Sequence, residues 1–284
     1  EAQDLPVDYR TAIIKLMYET GVDVNVVGDK LQSLTYDNNY MTSMLQDIED
    51  IVPKSNSWIT CVREEPENTN RRIKVDNMAD EINELIHFET HGLKQIELGD
   101  QGLEECDTPL EKIYHQFVSA NDTDTKKTDN VVYEIIKKVQ YEVDTHTYKP
   151  EDFLFIFPMM KGNMIAPELE SVLQEWWIEK FRDVEYTTKL KVKEESEGDI
   201  YWTREDVDDN DYIQYVYLHK HEEGTVINTE DSKRSSRIMT IKSSKGDGRN
   251  VTFVLNTTES SLKHISERSD LLYESHFHVA LTRA

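Results

Sequence analysis

Residues Arg237 to Leu255 read R-I-M-T-I-K-S-S-K-G-D-G-R-N-V-T-F-V-L, and the organisation of the chain turns on how this stretch is read. Two β-rich runs, Arg237 to Ile241 and Val251 to Leu255, flank a turn of hydroxyls, lysine and glycine, so the pattern predicts a loop held between two strands. Such a loop suits phosphates. Ser243 and Ser244 bring hydroxyls, Lys245 a positive charge, and Gly246 and Gly248 let backbone N–H groups approach an anion with no Cβ in the way. A polar hairpin turn is the other reading of the same residues. The choice depends on two further stretches, Gly28 to Ser33 and Val279 to Ala284.

The chain has 284 residues, room for one large or two ordinary domains, each with its own core. Its composition is globular, 37% hydrophobic and 31% charged. No run of about 18 apolar residues and no basic-then-apolar opening stands out. That predicts a soluble intracellular protein, cytoplasmic or nuclear, with no membrane partner. Cys61 and Cys106 stand far apart without a C-x-x-C pair, which fits a reducing compartment and argues against a zinc ribbon or a disulfide scaffold. The formal net charge of -24 opposes long-range attraction to a polyanion, so contact with nucleic acid requires a local basic groove and would be salt-sensitive.

The chain opens Glu1-Ala2-Gln3-Asp4-Leu5-Pro6 without a starting methionine and is read as a fragment. A helical pattern follows from Asp8 to Glu19, with Ile13, Ile14 and Met17 on one face. Val22-Asp23-Val24-Asn25-Val26-Val27 reads as a buried strand. Gly28-Asp29-Lys30-Leu31-Gln32-Ser33 lies at its carboxyl end, where open parallel sheets hold their ligands. An ordinary strand-to-loop turn is the alternative for Asp29 and Gln32.

The sequence acidic-Ala-Gln-Asp, then a helix, then Val-Val-Gly-Asp-x-x-Gln-Ser resembles the second and third motifs of UvrD/Rep-type superfamily 1 helicases, whose second motif is Asp-Glu-x-x-Asp. The resemblance implies that an Mg²⁺-holding aspartate lies one residue before Glu1 and that Glu1 orients or deprotonates the attacking water. It also implies that Gln32 senses the γ-phosphate of ATP and that Asp29 helps hold the loop beside it. Phosphoryl transfer needs such parts, because positioning and charge stabilisation supply most of the catalysis. The family's base-stacking aromatic aligns with Thr35 and Tyr36 follows it, so Tyr36 is either the stacking residue or a surface tyrosine.

Asn38 to Glu67 is polar, with apolar anchors at Ile51, Trp58 and Ile59, and reads as a passage between domains. Thr69-Asn70-Arg71-Arg72-Ile73, with a helix from Asp76 to Phe88 behind it, resembles the family's Asn-Tyr-Arg-Ser motif. The resemblance puts Arg72 where an arginine reaches the γ-phosphate from the second domain, a task that suits a planar guanidinium; a surface arginine pair is the alternative. An amphipathic helix is predicted over Asn130 to Val143. Asp152 to Phe157, a continuous apolar run before Pro158, is predicted as a central parallel strand. A helix starts near Pro167, with Trp176 and Trp177 as core residues. Glu179 to Lys233 is an acidic insert, a solvated loop or linker with room for a small β-rich excursion. The pairs His219 with His221 and His276 with His278 lack acidic or cysteine companions at a metal-site spacing, so no metal site is expected within the chain.

Met239-Thr240-Ile241-Lys242-Ser243-Ser244-Lys245-Gly246 resembles the family's fifth motif, Thr-x-His-x-Ser-Lys-Gly-Leu-Glu, with Lys242 in place of histidine and Asp247-Gly248 in place of Leu-Glu. That resemblance implies that Thr240, Ser243 and Ser244 contact a single-stranded backbone, with Lys245 and Gly246 near the nucleotide. Val279-Ala280-Leu281-Thr282-Arg283-Ala284 reproduces the sixth motif, which makes Arg283 the arginine finger.

Five motifs in family order imply an α/β fold of RecA-like, P-loop NTPase-like parallel sheets. Residues 1–50 would be the carboxyl part of a first RecA-like domain and residues 51–284 a second, with the acidic insert around 179–233. The implied activity is an ATP-dependent helicase or translocase using ATP and Mg²⁺, moving 3′-to-5′ on single-stranded DNA, with ATP in the cleft between the two domains. The fragment itself is expected to be inactive, since it lacks the phosphate-binding loop. Two alternatives stay open: a RecA-like interaction module that has lost turnover, and a motor directed to RNA.

Overall fold

A strand with no polar face is stable only where both faces are covered, and Phe153–Phe157 is buried at all five positions. The computed structural model describes residues 2–22, 24–40, 43, 69–70, 78–91, 95–98, 125–181, 192–194, 200–202, 214–219 and 229–283. In chain order the elements are α1 (Tyr9–Thr20), β1 (Thr69–Asn70), α2 (Met78–Leu85), β2 (Glu97–Leu98), α3 (Thr125–His146), β3 (Phe153–Phe157) and α4 (Ile165–Lys180). They continue with β4 (Val192–Glu194), β5 (Ile200–Trp202), β6 (Val216–Leu218), β7 (Ser236–Thr240), β8 (Val251–Val254), α5 (Glu259–Ile265) and α6 (Asp270–Leu281). Among the described residues this is an α/β structure with six helices and one four-stranded, all-parallel sheet of order β6-β7-β3-β8. The chain separates into two compact units. One comprises Glu1–Gln116, Ser244–Gly248 and Asn256–Ala284, the other Phe117–Ser243 and Arg249–Leu255.

The second of these units contains the parallel sheet. β3 is central, pairing Leu154 with Arg237 of β7 on one side and Phe153 with Val251 of β8 on the other. Because β7 and β8 run parallel on opposite sides of β3, the residues between them cannot be a hairpin turn. They carry the chain from the carboxyl end of β7 back to the amino end of β8. The core joins Phe153, Phe155 and Phe157 to Val132, Ile135, Ile136 and Val139 of α3 and to Leu169, Leu173 and Trp177 of α4. Phe155 stacks on Phe253 of β8 at 5.0 Å, and Trp177 stacks on Phe181 at 5.5 Å. Fully burying a side chain such as Phe155 contributes roughly 1.5–3 kcal/mol. α4 starts at Ile165, earlier than Pro167 suggests, because the Asn163 Oδ1 accepts from both Ile165 N and Ala166 N at 2.9 and 3.2 Å. In the acidic insert, the described residues include an antiparallel pair in which Val192 faces Trp202.

In the other unit, α1 ends at Gly21, whose φ of 66° closes the helix with an N–H to Met17 O bond of 2.9 Å. Its core is a cluster of Leu31, Met78, Ile82, Ile86, Phe88 and Leu281. Asn83 clamps the approach to β2 through both its amide atoms, donating to Ile96 O at 2.9 Å and accepting from Ile96 N at 2.8 Å. The buried strand predicted over Val22 to Val27 is not found among the described residues. An apolar run becomes a strand only when neighbours take its backbone groups. Here Ala2 N donates to Val27 O at 3.0 Å, and the Val27 side chain is 76% exposed. Much of Asn38 to Glu67 and of Leu93 to Lys127 lies outside the described residues, as do Glu1, Arg71, Arg72 and His221.

β6 stands at one end of the sheet, and α4 caps its outward N–H groups with side chains. Gln174 Oε1 accepts from Tyr215 N and Val216 N at 2.8 and 2.9 Å, and Glu170 Oε1 accepts from Leu218 N at 3.3 Å. Replacing Gln174 with leucine removes an acceptor from two donors on buried residues. The expected loss is about 1–3 kcal/mol, read as a lower urea midpoint. Gln174→Glu, which keeps the acceptor, is expected to recover most of it.

Candidate functional site

The turn after Val27 is built around a buried glutamine. Gln3 is 1% exposed, and its Oε1 accepts from Asp29 N at 3.3 Å. A Cβ at Gly28 would stand 2.3 Å from Gln3 Oε1 and 3.4 Å from Ala2 N, so any side chain there would displace the glutamine amide. The Asp29 carboxylate then organises a 3-10 turn over Lys30–Gln32, accepting from Leu31 N at 3.0 Å and from Gln32 Nε2 at 2.9 Å. Ser33 is fully buried, its hydroxyl lying 3.2 Å from Gln3 O and 2.6 Å from Tyr36 O. Asn39 Nδ2 reinforces the same corner with bonds to Ser33 Oγ and Tyr36 O.

This turn packs against the carboxyl end of α6. Ser269 caps the start of that helix, accepting from Leu272 N at 3.3 Å. At the other end a helix leaves most of its last-turn carbonyls without helical partners; Thr282 N still donates to His278 O at 3.1 Å, and the next two side chains add further bonds. Thr282 Oγ1 donates to His278 O at 2.9 Å, and Arg283 Nε donates to Val279 O at 2.8 Å. Arg283 is 3% exposed, and its other nitrogens reach Asp247 O and Thr282 Oγ1, each at 3.2 Å. The helix end therefore joins Arg283 to the Ser244–Gly248 turn. In that turn Asp247 N donates to Ser244 O at 2.9 Å, and Gly246 takes a φ of 86° that a side chain would strain. Lys245 forms an ion pair with Asp4.

His278 sits where the turn and the helix meet. Its ring packs edge-on against Phe88, at 5.6 Å and 89°. Burial pushes the imidazole below its ordinary pKa. The Asp29 carboxylate and a hydrogen bond with the Leu31 backbone act to raise it, and the Arg283 guanidinium lowers it further. Gln32, Asp29, Lys245, Gly246 and Arg283 thus all fall in one compact unit, together with Gln3, Asp4 and His278, which sequence reading had assigned no role. The signal for Gln3 and Asp4 was present, since both lie in the acidic-Ala-Gln-Asp motif. His278 carried none, because burial and neighbours are not visible in a sequence.

The remaining candidates are placed as follows. Thr240 and Ser243 lie in the unit that holds the sheet, at the carboxyl end of β7, and engage each other: Thr240 Oγ1 donates to Ser243 Oγ at 2.8 Å and accepts from Ser243 N at 3.1 Å. Ser244 is fully buried, whereas the Tyr36 ring is exposed. Glu1 and Arg72 lie outside the described residues. His219 is buried against Ser232 Oγ at 3.0 Å, and the Nδ1 of His276 bonds Leu272 O at 2.7 Å. Among the described residues no group of three His, Cys, Asp or Glu side chains could hold a metal ion, and no helix is long and apolar enough to cross a membrane. No protein-family model, no curated protein and no solved structure matches the chain.

Substitution of Gly28 by alanine is expected to push the Gln3 amide off Asp29 N and to cost roughly 1–3 kcal/mol, as overpacking of a filled site does. Urea unfolding of the variant measures the loss. An unchanged midpoint would mean that the glutamine yields freely.

Proposed function

We propose that this chain is the carboxyl portion of the motor of an ATP-dependent helicase or translocase of the UvrD/Rep type, built on RecA-like sheets and moving on single-stranded DNA. The observation that carries the reading is the convergence of Asp29, Gln32, Lys245 and Arg283 in one compact unit. These four come from three separated stretches that were each assigned to the nucleotide on motif grounds. The parallel sheet, with Thr240 and Ser243 at the carboxyl end of β7, supports it further, because open α/β sheets hold ligands at that end.

In this reading Gln32, braced by Asp29, meets the γ-phosphate of ATP from one side and Arg283 meets it from the other. The guanidinium offers planar donors to the charge that builds on the transferred phosphoryl group. Arg283 is held by two backbone carbonyls and a hydroxyl, so its orientation is set before the nucleotide arrives. Glu1 would handle the attacking water, and Arg72 would add a second guanidinium. Mg²⁺ would accompany the nucleotide, with its aspartate expected one residue ahead of Glu1, so no described residue is assigned to it. Thr240, Ser243 and Ser244 would grip the strand backbone, and Tyr36 would stack on a base.

A second reading, a RecA-like interaction module without turnover, is favoured by the pairing of Lys245 with Asp4 and by the burial of Ser244. The two separate in a hydrolysis assay on a protein that contains this sequence together with a phosphate-binding loop, with and without single-stranded DNA or RNA. DNA-stimulated turnover that falls roughly 10³-fold or more in Arg283→Ala is expected. Absence of turnover in the folded protein sinks the motor and leaves the interaction module. Stimulation by RNA alone keeps the mechanism and changes the track.

A further inference from the structure

A buried imidazole is informative when one of its nitrogens has nothing to bond. Among the described residues the Nδ1 of His278 is such an atom: it is shielded from water and has no hydrogen-bond partner, in a side chain only 7% exposed. The ring lies beside the Leu31 backbone and is edge-packed on Phe88. It lies within the field of Asp29, which bonds Gln32 directly, and of Arg283, which lies just beyond the end of the same helix. A neutral ring, with one N–H to give and one bare lone pair, fits these surroundings. A charged ring would place a second N–H where no acceptor stands, at the cost of a buried, unsatisfied charged donor.

We propose that His278 is a positioning residue, a neutral spacer that holds the Asp29–Gln32 turn and the Arg283 end of α6 in one register, and that a proton on its ring releases this register. The structural part needs no ligand; its consequence for catalysis rests on the nucleotide reading above. The charged groups acting on the ring are Asp29 from the 3-10 turn and Arg283 from its own helix end. Glu274, one turn earlier on α6, is held by His87, whose N and Nδ1 reach its two carboxylate oxygens at 3.2 and 3.0 Å. Glu89, in the 3-10 turn that carries Phe88, is exposed. The sign follows from the direction of the shift. A histidine whose folded pKa lies below its unfolded value leaves stability untouched at high pH. Stability then declines as pH falls through the ordinary value of 6.5 and levels off below the folded one.

The test uses the 284-residue chain. The His278 ring signals, identified as those missing from a His278→Phe spectrum, are followed by NMR from about pH 8 to pH 5, the span in which histidine ordinarily changes charge. The Gln32 side-chain amide and the Arg283 Nε–H are followed beside them. The expected result is one midpoint below 6.5 shared by all three groups. The Gln32 and Arg283 shifts should become flat in His278→Gln, which keeps a hydrogen-bonding side chain and cannot charge. Titration of His278 at or above its ordinary value overturns the proposal. So do Gln32 and Arg283 signals that stay still while it titrates. Should His278→Phe fail to fold, His278→Gln identifies the ring signals and carries the comparison alone.

Where hydrolysis is measurable in a protein containing the phosphate-binding loop, kcat/KM is expected to drop about tenfold per pH unit below that same midpoint. This acid limb should be absent in His278→Gln. An acid limb unchanged in that variant overturns the catalytic part. No hydrolysis at any pH overturns the nucleotide reading instead, and the Gln32 and Arg283 signals still decide the register.

Discussion

Everything in the sheet-bearing unit depends on one constraint: Phe153–Phe157 has no polar side to give to water. A strand of this kind needs a backbone partner on each edge and side-chain cover on each face. β7 and β8 meet the first need, and α3 and α4 contribute to the second. Parallel pairing on both sides then dictates the path of the intervening chain. The segment from Ile241 to Asn250 must leave the carboxyl end of β7 and return to the amino end of β8. Thr240 and Ser243 mark its departure; Arg249, bonded to Glu151 O, and Asn250, 2.6 Å from Asp152 Oδ1, mark its return beside the entrance to β3.

The unit carrying the candidate site is organised on the opposite principle, by polar groups placed inside and satisfied there. Gln3, Ser33 and Asn39 are each almost wholly buried, a costly arrangement unless their hydrogen bonds are made. They make them to one another and to the backbone around Asp29 and Tyr36. The shape of the Asp29–Gln32 turn is therefore inherited from a polar scaffold that includes the amino-terminal residues, with Gly28 allowing the scaffold to come close. Arg283 follows the same logic at the end of α6, since its guanidinium serves the Val279 carbonyl of the helix terminus and the Asp247 carbonyl of the neighbouring turn. An arginine fixed by such bonds has little side-chain freedom left to lose.

Charge is distributed in a way the total of -24 conceals. The acidic excess is an average over the whole chain, and the candidate site gathers a guanidinium, an ammonium, two carboxylates and an imidazole kept neutral by burial. Long-range attraction to a polyanion would be weak or repulsive, so recognition of a nucleotide or a strand would rest on short-range hydrogen bonds of fixed geometry.

Local pattern determined a good part of this protein. Apolar spacing foretold α1, α2 and the greater part of α3, and the unbroken apolar run foretold β3 as a central parallel strand. Turn chemistry placed a loop between β7 and β8. The motif resemblance points to three stretches far apart in sequence, and Asp29, Gln32, Lys245 and Arg283 from them belong to one compact unit. What sequence could not decide was anything that depends on a distant neighbour. Val22 to Val27 has the composition of a strand but takes its place according to which backbone groups lie beside it. Gly28 looks like an ordinary turn glycine until Gln3 is seen against it, and His278 looks like one of a histidine pair until Asp29, Phe88 and Arg283 surround it. The division has a physical cause. Periodicity and capping act over a few residues along the chain, whereas pairing, burial and the field at a titrating ring are set by atoms that only folding brings near.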